Sequence, residues 1–417
     1  MMKSIEQNNK NKFIWLINPY GPISEEGWKL YRFEKFCNFL NKKGFDSTWI
    51  TSSFSHHFKY QRDIKKQNFL SFQKKRFFIK TIDYKSNTSI KRVIRDLEFE
   101  LKLIFRFYQA FLNGKHPKLI IYYGNCFTFY LSIVLTKPII RYKLIFDQID
   151  MWPEFQENLL MKKLGSFLGK LIYKSILKYR RFFIKNFTDN TMGLSTKYAK
   201  SLNKTYFNII YNSNEELDIN RKQILENSKL SKLKAYKFIV TYGGSFGPSY
   251  DIETVIKCAN LFCANNYKDL LFVIAGSGEK YNILKNINSI SKNIYFIGKV
   301  SFEKYQEVLK KTNIGLLPYN SYSNVEIPDK FYDYINNDCF IVSSLKGESA
   351  RFIQDFNLGK LYVANNENLL YQQIKEILFQ NEEEKLMRLK GLKKVKKLFS
   401  DKEQLSKFYK ICQDYLK

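Results

Sequence analysis

The chain has few of the residues that build disulfide frameworks and metal centres. Its 417 residues include six cysteines and three histidines. The cysteines are scattered, no two of them form a Cys-x-x-Cys pair, and most lie in apolar surroundings. This pattern is typical of reduced core cysteines in a cytosolic protein and argues against a disulfide scaffold. The polar N-terminus, MMKSIEQNNKNK, lacks the apolar segment of a signal peptide, so we expect none.

Long apolar runs are also scarce. Residues 119–136 are eighteen residues without a charge, but Gly124 and Asn125 interrupt them. We interpret this run as a buried strand over 119–123 followed by a helix from about Phe127. A membrane span is the alternative, at a length that is marginal for crossing a bilayer.

Acidic residues are the scarcer charge. The chain has 69 Lys and Arg against 39 Asp and Glu, a net charge of +30. Residues 1–210 hold 38 basic and 15 acidic residues (+23), which leaves 31 and 24 (+7) for residues 211–417. A basic face of this size attracts an anionic membrane surface or a pyrophosphate substrate. A solvated surface is the alternative, and nucleic acid is disfavoured because no recognisable binding module accompanies the charge.

Short apolar runs alternate with helical segments along the whole chain, which indicates parallel sheets built from βα units. The length suits two to three domains. We place a boundary in the polar stretch near residues 212–235. The prediction is an α/β protein with Rossmann-like domains over 1–215 and 216–400 and a final helix over 401–417. In such sheets ligands bind at the carboxyl ends of the strands.

The segment from 321 to 348 carries the clearest chemistry. Pro328 suits the first turn of a helix. Lys330 and Asp333 lie three residues apart and therefore share one helix face. A helix N-terminus and a lysine favour bound phosphate, and a carboxylate one turn later can accept hydrogen bonds from two sugar hydroxyls. The segment therefore has the outline of a nucleotide-sugar site.

Residues 328–334, PDKFYDY, resemble the donor-site signature of family-4 retaining glycosyltransferases, which reads Pro-Asn-Lys-Leu-Phe-Glu-Tyr. The resemblance implies the GT-B fold, in which two Rossmann-like domains have parallel sheets that face across a cleft. It implies that the first domain binds the acceptor, that the second binds the nucleotide sugar, and that the helix over 401–417 crosses back to the first domain. It also implies that Lys330 contacts the diphosphate and that Asp333 binds the ribose. Many members have another glutamate eight residues earlier, where this chain has Val325, with Glu326 one step out of register.

Further donor-side segments resemble the same family. The glycine-rich turn from Tyr242 would let the backbone approach a phosphate closely, although an ordinary strand-to-helix turn is the alternative. Many members carry Arg or Lys where this chain has Ser245 and Tyr250. The resemblance implies a set of donor-binding residues besides Lys330 and Asp333, namely Gly244, Ser245, Gly247, Gly278, Lys299 and Val300.

The first half resembles a subset of the family that builds bacterial surface polysaccharides. Residues 145–154, IFDQIDMWPE, are similar to its signature Asp-x-x-Asp-Leu-Trp-Pro-Glu. Asp150 occupies the place of a functional histidine in other members, so we predict that it is the catalytic group. A solvated acidic turn is the alternative. The resemblance also implies acceptor-side residues, which are Asn18, Tyr20, Arg32, His57 and Trp152. His57 and its neighbour His56 could equally be an ordinary exposed pair.

Residues 161–185 interleave apolar residues with lysine and arginine. Five apolar residues fall on one helical face, namely Leu164, Phe167, Leu168, Leu171 and Ile172. Such a helix can lie in a membrane interface, with its basic edges toward anionic lipid. Packing of the same stripe on the domain core is the alternative.

The resemblance implies a hexosyltransferase with a retaining mechanism. It would move a sugar from a nucleoside diphosphate sugar to a polyprenyl-diphosphate-linked or saccharide acceptor. The predicted role is in bacterial surface polysaccharide synthesis, including lipopolysaccharide, at the cytoplasmic face of the inner membrane. The resemblance implies no metal and no cofactor besides the donor substrate. A catalytically degenerate GT-B scaffold on the membrane and a nucleotide-sugar epimerase remain as alternatives.

Overall fold

The computed structural model describes residues 12–27, 29–64, 75–87, 89–128, 130–151, 153–154, 157–202, 207–213, 232–280, 284 and 292–416. These residues form two compact units, which are described separately. The first comprises residues 1–211 and 405–417, and the second comprises residues 212–404.

The strands of the first unit are β1 Phe13–Ile17, β2 Asp46–Ser52, β3 Phe54–Ser55, β4 Tyr60–Gln61, β5 Arg76–Ile79, β6 Leu119–Tyr122, β7 Lys143–Gln148, β8 Asn190–Gly193 and β9 Asn208–Ile209. Those of the second are β10 Phe238–Ser245, β11 Leu270–Ser277, β12 Ile294–Gly298, β13 Ile314–Leu317, β14 Phe340–Ser343 and β15 Gly359–Leu361.

The helices from the N-terminus to the second sheet are α1 Arg32–Lys42, α2 Ile90–Leu112, α3 Leu131–Ile140, α4 Glu157–Leu164, α5 Ser166–Phe187, α6 Thr196–Ser201 and α7 Ile252–Ala264. The later ones are α8 Phe302–Leu309, α9 Asp329–Asn336, α10 Glu348–Asp355, α11 Glu367–Leu378, α12 Glu382–Leu398 and α13 Asp401–Leu416.

The first unit is built on a parallel sheet in the order β5-β2-β1-β6-β7-β8-β9. Alternate residues of β1 face opposite sides of this sheet, as the two-residue repeat of a strand requires. Ile14 and Leu16 pack in a core with helices α1 and α13, where the rings of Phe36 and Phe408 stack at 3.9 Å. Trp15 and Ile17 of β1 pack with helices α2, α3 and α5 on the other side of the sheet.

The second unit has a parallel sheet in the order β12-β11-β10-β13-β14-β15. Apolar residues of α7 and α11, among them Phe262 and Ile374, bury its strands. Strand order reverses between β10 and β13, and loops at the carboxyl ends of such neighbouring strands diverge to leave a ligand crevice. The prediction of parallel, Rossmann-like α/β sheets is therefore confirmed.

The uncharged run over 119–136 divides between strand β6, a short 3-10 turn at Cys126–Thr128 and helix α3. Among the residues that the structure describes, no helix is long and apolar enough to cross a membrane. Four cysteines, Cys37, Cys258, Cys339 and Cys412, are free and buried.

Strand β5 lies within residues 58–115, which are very basic and which the sequence alone predicts to be mostly helical or irregular. The strand extends the first sheet beside β2. Arg76 begins it, yet its side chain is buried because its guanidinium donates to the carboxylate of Glu25 at 2.8 Å. Arg76 can therefore lie in a buried strand, because Glu25, 51 residues away in the sequence, compensates its charge.

Candidate functional site

Helix α9 places the signature residues at the carboxyl edge of the second sheet. Pro328 precedes the helix in an extended conformation, and its carbonyl accepts a hydrogen bond from the Phe331 N–H at 2.9 Å. Phe331 and Tyr334 are fully buried, which fixes the inward face of the helix. Lys330 and Asp333 consequently share a different face, as their spacing predicts.

The ammonium group of Lys330 lies over three aromatic rings, one from strand β10 and two from loops. Its Nζ is 4.4 Å from the ring centroid of Tyr250, 5.3 Å from that of Tyr242 and 5.6 Å from that of Tyr319. Such cation–π contacts hold an ammonium group in place while leaving its N–H donors for a ligand. Sequence reasoning missed Tyr242 and Tyr319, although each lies at or just after the carboxyl end of a strand, where ligand-binding side chains collect.

The glycine-rich turn after β10 lies directly beside Lys330. Gly244 has φ of +151°, and a Cβ added there would lie 2.7 Å from the lysine Nζ. A Cβ at Gly278 would lie 2.7 Å from the backbone nitrogen of Phe246. The turns after β10 and β11 are therefore in close contact. Because their glycines have no side chain, a diphosphate could approach the backbone there. The structure thus brings Gly244, Gly278 and Lys330 together, as the resemblance implies.

Replacing Gly244 with alanine should displace the Lys330 side chain and strain the turn. We expect turnover of a diphosphate-sugar donor to fall about tenfold, the rate change that about 1.4 kcal/mol produces. The fold should persist, since the nearest displaced atoms are the flexible end of Lys330. The double variant with Lys330→Ala is the control. There, Gly244→Ala should have a much smaller effect, and two independent, additive losses would refute the contact.

Asp333 is 8% exposed on the same face of α9. Burial first, and then other groups including Asp333, raise the pKa of the neighbouring phenols of Tyr305 and Tyr334. Both phenols therefore remain protonated at neutral pH. Two of the groups near the Asp333 carboxylate are thus neutral phenols.

Two nearby carboxylates have other roles. Glu326 accepts a hydrogen bond from the Glu348 N–H at 2.9 Å and is buried at the N-terminus of α10, so it stabilises that helix. Asp329 stands where the family signature has asparagine. It is exposed in the first turn of α9 and accepts a hydrogen bond from the Asn212 side chain at 3.1 Å. A carboxylate there competes with phosphate for the helix N-terminus.

The remaining predicted donor-side residues lie on turns at the same edge of the sheet. Ser245 ends β10 and is exposed, and a Cβ added at Gly247 would make an ordinary contact with the Ser245 hydroxyl at 3.5 Å. Lys299 is exposed and Val300 is half-buried, directly after the end of β12. Their placement allows contact with a ligand at this edge, and their predicted roles remain predictions.

Asp150, the predicted catalytic group, is half-buried just beyond the carboxyl end of β7 in the first unit. Its Oδ2 accepts a hydrogen bond from the Tyr123 hydroxyl at 3.0 Å. Burial, with Asp150 as the next cause, holds the pKa of that phenol well above its usual value, so the phenol stays a donor. Sequence reasoning missed Tyr123. Trp152 lies outside the described residues.

Arg32 and Asp147 form a buried ion pair rather than an exposed site. The guanidinium Nε donates to Asp147 Oδ2 at 2.8 Å, and Nη1 donates to the Ile210 carbonyl at 2.8 Å. Burial raises the pKa of the Asp147 carboxyl, and Arg32 opposes this rise. Because its donors are engaged inside the unit, Arg32 connects Asp147 of β7 to the backbone after β9 and does not present its charge to an acceptor.

Asn18 and Tyr20 are also buried at the end of β1. The Asn18 side chain donates to the Tyr31 hydroxyl at 2.9 Å, and the Tyr20 hydroxyl donates to Asp96 Oδ2 at 2.8 Å. Of the predicted acceptor-side residues with described side chains, His57 alone is exposed. Asn18 and Tyr20 thus shape the loop, and Asp96 was missed because nothing in its local sequence distinguishes it from other polar residues of a helix.

Within the described ranges, no group of three or more His, Cys, Asp or Glu residues could hold a metal ion. Lys330 and the backbone N–H groups at the start of α9 lie at the predicted diphosphate position.

Comparison with known proteins supports the assignment of the fold. Residues 223–394 match the family described as "Glycosyl transferases group 1". No curated protein sequence matches significantly.

Among solved structures, HepE of Anabaena in complex with UDP superposes with a TM-score of 0.64 at 10% identity, covering 97% of this chain and all of that one. WaaG, a glycosyltransferase involved in lipopolysaccharide biosynthesis, gives 0.59 at 14%, covering 96% and 98%. A Listeria monocytogenes protein described as a UDP-N-acetylglucosamine 2-epimerase gives 0.57 at 9%, covering 95% and 94%. The chain therefore has the GT-B fold, which transferases and this epimerase share.

Proposed function

We propose that the protein is a glycosyltransferase whose second unit binds a nucleoside diphosphate sugar. The observation that carries the proposal is the placement of Lys330 over the glycine turn at Gly244, with Asp333 one turn further along α9. The family match over residues 223–394 covers all of these residues and supports the proposal. The UDP complex of HepE makes a uridine nucleotide the first donor to test.

The proposed roles of these residues depend on where negative charge develops during sugar transfer. As the sugar leaves, negative charge grows on the diphosphate, and fixed donors aimed at that position stabilise it. Lys330, the backbone around Gly244 and the N-terminus of α9 would supply those donors. The Asp333 carboxylate would accept hydrogen bonds from the ribose hydroxyls. On the first unit, Asp150 would position the acceptor or the reacting sugar, and the transfer would retain the anomeric configuration.

The acceptor would be lipid-linked or a saccharide, in bacterial surface polysaccharide synthesis. The structural likeness to WaaG, which acts in lipopolysaccharide biosynthesis, supports this setting. The experiment is incubation with a panel of nucleoside diphosphate sugars, with and without an acceptor extract. A transferase releases nucleoside diphosphate only when an acceptor is present. A changed sugar configuration without acceptor would instead establish an epimerase, and binding without turnover a scaffold.

We further propose that the first unit lies on an anionic membrane. Residues 161–185 do not form one helix, because Gly165, with φ of +82°, separates α4 from α5. A Cβ at Gly169 would lie 2.6 Å from backbone atoms of Leu160, so the two helices pack closely as a hairpin. Sequence reasoning missed this break.

Apolar residues on both sides of the connection between α4 and α5 are exposed. Phe167 is 85% exposed, and Leu164, Leu168 and Leu171 are also exposed. Of the predicted stripe, Ile172 alone packs against the core. The alternative that the stripe covers the domain core is therefore wrong for its other four residues. Exposed apolar residues beside lysines, in a half-chain with a charge of +23, suit the interface of an anionic bilayer.

Liposome flotation tests this second proposal. We expect binding to anionic vesicles, weak binding to neutral ones and partial release at high salt, because salt screens exposed charges. Replacing Lys170, Lys174 and Lys178 with glutamate should reduce binding strongly. The matched control makes the same charge change at exposed lysines of α12, by replacing Lys390, Lys393 and Lys394. Equal loss in both triple variants, or equal binding to neutral vesicles, would mean that the charge is only a solvated surface.

A further inference from the structure

We propose that the first unit carries a phosphate-binding subsite for its acceptor, formed by His56, His57, Lys59 and Arg92. The proposal rests on the proposed transferase function and deepens it, because it identifies the acceptor as a phosphate or diphosphate ester rather than a neutral saccharide. The four residues come from two places at the carboxyl edge of the sheet. The first three lie in the turn of the β3–β4 hairpin that follows β2, and Arg92 lies in the first turn of α2.

The basic groups converge on one loop. Lys59 Nζ donates to the side-chain oxygen of Asn87 at 2.5 Å, and Arg92 Nη1 donates to the Asn87 carbonyl at 2.9 Å. His56 Nδ1 is hydrogen-bonded to the hydroxyl of Tyr84, over whose ring Lys59 Nζ lies at 4.5 Å. His56 and Lys59 are half-buried and His57 is exposed, so an anion from solution can reach the cluster.

Positive charge exceeds negative charge at this position. Asp96 is the nearby carboxylate, but it already accepts hydrogen bonds from Arg95 at 2.7 Å, from the Tyr20 hydroxyl at 2.8 Å and from the Asn125 side chain at 3.2 Å. Arg95 is fully buried against this carboxylate, and Arg92 Nε also lies 3.8 Å from its Oδ2. Three basic side chains, Lys59, Arg92 and Arg95, thus lie around the single carboxylate of Asp96.

Burial and the excess of positive charge lower the pKa values of two groups in the cluster. Burial, followed by the charges of Lys59, His57, Arg92 and Arg95, lowers the pKa of His56 to about 2. Burial and the two arginines lower the pKa of Lys59 to about 8. Groups that repel one another in a partly desolvated position destabilise the empty site, and a bound anion removes that repulsion.

The cluster is also connected to Asp150. The ring of Tyr20 lies 5.4 Å from the His56 ring and packs edge-on to Tyr123 at 5.9 Å. The Tyr123 hydroxyl donates to Asp150 at 3.0 Å. Only two aromatic side chains therefore separate the basic cluster from the carboxylate proposed to position the acceptor. An acceptor phosphate on the cluster would leave the attached sugar within reach of Asp150.

The three histidines allow a direct test by NMR of protein labelled with 13C at the imidazole carbons. Titration with inorganic pyrophosphate at constant ionic strength should shift the His56 and His57 signals saturably. His116 precedes β6, at the opposite edge of the sheet, and its signal should not move. Lys59→Ala should weaken the fitted affinity about tenfold, the change that loss of a charge-assisted hydrogen bond produces. Lys85→Ala, at an exposed lysine of the same region, should leave the affinity unchanged.

Titration with geranyl diphosphate and with glucose 1-phosphate separates the sources of the phosphate. Tighter binding of the geranyl ester indicates a lipid-linked acceptor, and equal or tighter binding of the sugar phosphate indicates a soluble one. Asp333→Ala should leave these titrations unchanged, so a failure of the donor proposal is distinguishable from a failure of this one. Unmoved His56 and His57 signals, shifts shared by His116, or equal affinities in wild type and Lys59→Ala would overturn the subsite.

Discussion

Replacing Asp333 with alanine should weaken binding of the donor nucleotide roughly 10- to 100-fold, measured by calorimetry. A carboxylate that accepts hydrogen bonds from two ribose hydroxyls contributes about 1.5–3 kcal/mol, and the alanine variant loses both bonds. Asp333→Glu should retain binding, because it restores the acid of the family signature.

Asp329→Asn is the matched control for Asp333→Ala. It removes one carboxylate from the same helix, at the exposed first turn where the family signature has asparagine. We expect this variant to bind the nucleotide at least as well as the wild type, since the helix N-terminus then faces the phosphates without a competing charge. Equal nucleotide affinity in the wild type and in Asp333→Ala would remove Asp333 from the site.

Replacing Lys330 with alanine should lower turnover about 100-fold while weakening the binding of a bare nucleoside much less. The reason is that the ammonium acts on charge that develops on the leaving diphosphate, and a donor of this kind typically contributes a factor of about 100 to 1000 to the rate. The comparison requires steady-state rates with a diphosphate-sugar donor and calorimetric titration with the nucleoside.

Lys304→Ala, at an exposed lysine of α8, provides the control for Lys330→Ala and should change neither quantity. If the Lys330 variant loses turnover and nucleoside binding in parallel, the lysine supports the structure of the site instead of the leaving group. If it loses neither, the ammonium group is not part of the donor site.

Much of the second unit could be predicted from sequence because its signals are local. The strands at 314–317 and 340–343 are each a short apolar run next to a turn, which is the sequence signal of a buried strand. The shared face of Lys330 and Asp333 follows from helical spacing alone. The three tyrosine rings around Lys330 could not be predicted in the same way, because Tyr242 and Tyr319 meet only when β10 and β13 pair.

The first unit shows the limits of the same reasoning. The sequence predicts Arg32 as an acceptor contact, but the structure buries it against Asp147, which is 115 residues away. Spacing cannot reveal such a pair. The strand that begins at Arg76 was missed for the same reason, since its charge is compensated by the distant Glu25. By contrast, helical periodicity predicts the apolar stripe near Phe167. Whether that stripe is buried or exposed depends on how α4 and α5 pack, and the structure exposes it.

A crystal structure of the protein with UDP would show directly whether the donor binds at the carboxyl edge of the second sheet. We expect the ribose hydroxyls to lie within about 3 Å of the Asp333 carboxylate, the distance of a charge-assisted hydrogen bond. We also expect the diphosphate to lie against Gly244 and the start of α9, with the Lys330 ammonium in contact. A nucleotide bound away from this edge of the second sheet, or one that leaves Asp333 and Lys330 without contact, would contradict the proposed donor site.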